Sequence, residues 1–114
     1  MSLDVYLNGA PCEHCGRGGE GIFEANITHN LGAMADAAGI YKALWRPDEI
    51  GITTAAQLVA PLTVGATWLK ANETEARKHD APNGWGMYEH FVPFVEKYLA
   101  ACVENPTALV SVSR

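Results

Sequence analysis

Hydrophobic and polar residues alternate from the start of the chain. Leu3, Val5 and Leu7 are interleaved with Asp4, Tyr6 and Asn8. That period of two predicts a strand with one buried face. Ile22 to Thr28 repeats the pattern, with Phe23, Ala25 and Ile27 on one face. Between the two runs, Gly9 to Gly21 is rich in Gly, Cys and Pro. The two strands are expected to form a hairpin with a long loop, a common place for function.

The period then changes. Leu31, Met34, Ala35 and Ala38 follow helical spacing, with Asn30 as the expected N-cap and Gly39 as the stop. Ile40 to Trp45 reads as one further helical turn, and Pro47 turns the chain at Arg46. Thr53 or Thr54 is placed to cap the next helix, whose apolar stripe is Leu58, Leu62, Ala66 and Leu69. Pro61 lies inside it and is expected to kink or restart it. Asn72 to Gly86 is polar and full of breakers and reads as a long loop. A last helix is expected from Met87 to Val103, with Phe91, Val95, Leu99 and Cys102 inward and Asn105-Pro106 as its end. Ala108 to Ser113 reads as a final strand able to join the hairpin. The expected fold is α+β: a small antiparallel sheet, made of the N-terminal hairpin and the C-terminal strand, with about three helices on one face. The chain ends would lie close together.

Bulk properties narrow this picture. The 114 residues suit one domain, and 48% hydrophobic with 18% charged residues is an ordinary globular balance. Eight basic against thirteen acidic residues give a net charge of -5, which disfavours binding to a nucleic-acid backbone. A pocket with one or two arginines can still take a small anion. No apolar run approaches the ~20 residues of a bilayer span, and Met1-Ser2-Leu3-Asp4 lacks the basic region of a signal peptide. A cytoplasmic setting is therefore expected.

Cys12-Glu13-His14-Cys15-Gly16 carries the sharpest chemistry. Two thiolates two residues apart can grip one Zn²⁺, because a tight turn brings both sulfurs to the metal. They make half of a tetrahedral site, and His29 is the candidate third ligand. Two plain thiols, or a redox pair, are the alternatives. The redox reading wants a helix start after the first cysteine, which Gly16-Arg17-Gly18-Gly19 opposes. Zinc, if bound, would pin a glycine-rich loop.

Polar and aromatic residues concentrate in three further segments. These are Asn26-Ile27-Thr28-His29-Asn30, Leu44-Trp45-Arg46-Pro47-Asp48-Glu49 and Asn83-Gly84-Trp85-Gly86-Met87-Tyr88-Glu89-His90. Free amides at helix N-termini suit anions. Arg46 could clamp one, and Trp45 or Trp85 could stack on it. Each residue also has a bland reading: Asn30 as a cap, Asn83-Gly84 as a turn, the tryptophans as core. The phosphate-loop, zinc-protease and nucleophile-elbow motifs do not occur.

The segments Asn26 to Leu31, Ala38-Gly39-Ile40-Tyr41, Leu44 to Pro47 and Asn83 to Gly86 resemble a family of small uncharacterised proteins from tailed bacteriophages and bacteria. So do Phe94 to Cys102 and Val112-Ser113-Arg114. The resemblance implies a phage or prophage origin and a host-cytoplasm setting. It also implies an N-terminal loop of variable length and content, with Cys12 and Cys15 as an embellishment. The leading expectation is a non-enzymatic binding module for a host protein or a small anionic, nucleotide-like ligand. Its site would comprise Asn26, His29, Asn30, Trp45, Arg46, Asn83, Trp85 and Tyr88. A zinc-stabilised interaction domain and a small enzyme using His29 or His90 are the alternatives.

Overall fold

A computed structural model describes residues 2–9, 21–80 and 86–113. Strands β1 (Ser2–Asn8), β2 (Gly21–Thr28) and β3 (Leu109–Ser113) form an antiparallel sheet in the order β2-β1-β3. The hairpin register pairs Leu3 with Ile27, Val5 with Ala25 and Leu7 with Phe23. On the other side of β1, Val5 faces Val112 and Leu7 faces Val110. These apolar positions therefore share one face, as a strict period of two demands. Leu3, Val5 and Leu7 are fully buried. Asp4 pairs with Ser113, which sets the two ends of the chain side by side.

The helices are α1 (Gly32–Ala37), α2 (Tyr41–Trp45), α3 (Ala56–Ala71), α4 (Glu73–Arg77) and α5 (Tyr88–Glu104). Two 3-10 turns, His29–Leu31 and Pro47–Ile50, precede α1 and follow α2. The long pair, α3 and α5, pack against each other, and α5 also meets β2. Tyr98 carries the α5–β2 contact, its ring stacked on Phe23 at 5.7 Å and 8°. Leu58, Leu62, Gly65, Ala66 and Leu69 are buried along α3. Phe91, Phe94, Val95, Tyr98 and Cys102 are buried along α5.

Four local expectations are corrected. The cap at residue 30 moves back two positions: Thr28 Oγ1 accepts from the Asn30 amide at 3.4 Å, and Asn30 lies inside the turn. The segment after Asn72 is not all loop, because Glu73–Arg77 makes a short helix held by Glu73–Arg77 and Glu75–Lys78 ion pairs. Pro61 does not restart α3, and Pro93 does not break α5. Each proline is the sixth residue of its helix, and the carbonyls it deprives of a donor belong to Gln57 and Glu89, both exposed. Finally, no threonine side chain caps α3. Gln57 reaches back instead, its Oε1 accepting from the amides of Thr53 at 2.7 Å and Thr54 at 3.0 Å.

Burial in the α5 layer has a consequence at alkaline pH. Desolvation pushes the Cys102 thiol up to about 11 and raises the Tyr98 phenol further above its ordinary value. Below the ordinary thiol pKa both groups are neutral, folded or unfolded. Above about pH 9 the unfolded chain loses the Cys102 proton while the folded chain keeps it, so stability falls by at most ~1.4 kcal/mol per pH unit and group. The denaturation midpoint is expected to drop between pH 8.5 and 10.5, and less steeply in Cys102→Ala.

Candidate functional site

The turn that ends β2 builds one wall of the site. Thr28 closes the sheet and starts the 3-10 turn, which delivers His29 beside the end of α2. The His29 ring meets Trp45 edge-on, with centroids 6.2 Å apart. Trp45 in turn stacks on Tyr41 at 5.3 Å and 14°. Tyr41 and Trp45 are four residues apart on α2, so the helical repeat places one ring over the other. Tyr41 and Glu49 both raise the Arg46 pKa, the Tyr41 side chain more strongly. The result is a continuous column: His29, Trp45, Tyr41, Arg46.

The column differs from the sequence picture in which members face out. Trp45 is only 3% exposed, so its indole belongs to the core and offers no stacking face to a ligand. Tyr41, half-buried, covers it from outside. Arg46 is 43% exposed at its side chain and is already bound to Glu49 at 3.1 Å. One edge of its guanidinium is thus held, which orients it, while Glu49 partly offsets its charge. His29 Nε2 is buried and has no hydrogen-bond partner among the described residues.

The third segment reaches the same wall through its last glycine. Gly86 has φ 109°, and its Cα lies so near the turn that a Cβ there would stand 2.9 Å from Asn30 Cβ and 3.2 Å from Thr28 Cγ2. Asn83 and Trp85 lie outside the described residues, as do Cys12 and Cys15.

Two residues expected in the site stand elsewhere. Asn26 projects from the opposite, solvent face of the sheet, where its Nδ2 donates to Asp4 Oδ1 at 2.7 Å. Alternation along β2 requires this, since the inward positions are Phe23, Ala25 and Ile27. Tyr88 is buried and structural. Its hydroxyl donates to the Leu69 carbonyl at 3.0 Å and Arg77 lies over its ring at 4.8 Å. Its amide donates to Asp80 Oδ1 at 2.6 Å. Asp80 therefore already occupies the anion-binding start of α5.

Of the expected metal set, Cys12, Cys15 and His29, only His29 is among the described residues, just after the end of β2 remote from Gly21. Among the described residues no three His, Cys, Asp or Glu side chains gather to hold a metal ion. No helix of the described residues is long and apolar enough to cross a membrane. The chain matches no family model, no curated protein and no solved structure.

Proposed function

We infer that the protein is a non-enzymatic binding module, and that it takes a small anionic, nucleotide-like ligand at the corner formed by His29, Asn30, Tyr41, Arg46 and Gly86. The observation that carries this reading is the buried His29 Nε2 without a partner among the described residues. An unsatisfied buried polar atom costs about 1–3 kcal/mol and normally meets a protein group or ordered water, a need that a ligand donor or acceptor would also meet. Arg46, held by Glu49 at the other end of the column, supplies the charge. The reading includes a cytoplasmic setting.

Thermal-shift titration with inorganic phosphate and a panel of nucleoside phosphates tests it. Wild type is expected to be stabilised by at least one member. Arg46→Ala is expected to weaken that ligand roughly tenfold or more, the size of a lost hydrogen bond to a charged group. His29→Ala should weaken it too. No shift with any anion, or an equal shift in Arg46→Ala, contradicts the reading.

A further inference from the structure

Among the described residues, the outer edge of β3 is paired over its first half only. Val110 donates its amide to the Thr53 carbonyl at 2.9 Å, Ala55 donates to the Ala108 carbonyl at 2.9 Å, and Thr54 bridges Leu109 between them. Residues 53–55 thus act as a short fourth strand against the first half of β3. In an antiparallel ladder the outward groups recur every second residue. The next ones are the Val110 carbonyl and the amide and carbonyl of Val112. Thr53 cannot extend the ladder to them, because its own amide is taken by Gln57 Oε1. The side chain that starts α3 therefore also ends the strand pairing.

Space opens at the same point. A groove of about 280 Å³ lies beside the uncovered half of β3, lined by Pro47, Asp48, Ile52, Val110, Ser111 and Val112. Pro47, Ile52 and the two valines contribute to its walls, but most of the surface it exposes is polar. It is smaller than the roughly 300–1,000 Å³ of sites for drug-sized ligands and suits one or two side chains. At its edge Asp48 is exposed and makes no ion pair among the described residues, since Arg46 pairs with Glu49 instead.

We propose that this edge is a docking site for an extended peptide segment of a basic partner protein. The peptide adds as a strand beside Val110 and Val112, sets a small side chain in the groove and places a Lys or Arg at Asp48. Main-chain bonds with alternate side chains in pockets are the physics of strand addition. The free carboxylate selects the charge. The chain's net charge of -5 opposes a second copy of itself as the occupant.

The test is a random heptapeptide array probed with the folded protein, followed by titration of the best binders. Enrichment of alternating β-branched residues with a Lys or Arg is expected. Asp48→Lys should weaken the selected peptides at least tenfold. Val112→Pro, which removes only an outward amide and suits an edge strand, should do the same with little change in melting temperature. If Val112→Pro unfolds the chain, Asp48→Lys and the peptide series with Lys replaced by Glu still decide. Absence of enrichment, or binders indifferent to Asp48→Lys, overturns the proposal. A dimer seen by sedimentation and abolished by Val112→Pro overturns it in favour of a second copy.

Discussion

Tyr98→Ala is expected to lower stability by about 3–5 kcal/mol, the range for removing a buried aromatic ring. Tyr98→Phe is expected to raise it by ~1 kcal/mol. The contrast follows from what the residue touches. Its ring is fully buried between Phe23, stacked at 5.7 Å, and Phe94, tilted at 6.0 Å. That stack ties α5 to β2, so alanine opens a cavity in the layer joining helices to sheet. The hydroxyl, by contrast, is buried without a partner among the described residues. Phenylalanine keeps the ring and removes the group that had lost its water. Urea denaturation of both variants at neutral pH measures the pair. A Phe variant weaker than wild type by more than ~1 kcal/mol would mean that the hydroxyl is hydrogen-bonded after all.

Gly86→Ala is expected to cost about 2–4 kcal/mol, combining backbone strain with overpacking. Three glycines of the described residues have positive φ, and they separate the two causes. Gly39 at φ 78° and Gly51 at φ 75° have nothing within 4 Å of an added Cβ. Alanine there should cost only the left-handed backbone penalty, about 1–2 kcal/mol. At Gly86 the new methyl would also strike Asn30 and Thr28, in the turn that carries His29. Gly86→Ala should therefore lose more stability than Gly39→Ala in denaturant melts. It should also change Trp45 fluorescence and weaken any ligand held at this corner. Equal losses at the two positions would show that Gly86 does not press on the turn.

The regular elements were legible because their periods are clean. Leu3-Val5-Leu7 and Phe23-Ala25-Ile27 announce two strands, and the α5 stripe announces its helix, since burial of one face is what orders both. The caps were less legible, because several residues of one segment can serve. Thr28 and Asn30 are both good N-caps, and only the path of the chain out of β2 decides between them. Thr54-Ala55-Ala56-Gln57 has the spacing of a capping box, which would have pointed to Gln57 as the capping side chain. Helix α4 was hidden by breakers on either side of a stretch with no apolar stripe beyond Ala76.

The arrangement of the candidate site was legible in part. The sequence singled out His29, Trp45 and Arg46, and the fold aligns all three in one column. It missed Tyr41, although the four-residue spacing from Tyr41 to Trp45 is the signal for stacked rings on a helix. Asn26 was grouped with residues on the far side of the sheet, although the alternation of Phe23, Ala25 and Ile27 already puts it on the opposite face. The sequence could not show that Asp80, eight residues upstream, fills the start of α5. Contacts of that kind depend on how the chain folds back, which no local pattern encodes.

Ligand binding at the corner of His29, Arg46 and Gly86 is the central proposal. Two-dimensional NMR of labelled protein, titrated with whichever nucleoside phosphate gives the largest thermal shift, reads this most directly. Saturable shifts confined to the amides of 28–32, 41–46 and Gly86, together with the His29 ring and the Trp45 indole, are the expected result. Shifts gathered instead around α4 or the solvent face of the sheet, with His29 unmoved at saturation, would contradict it.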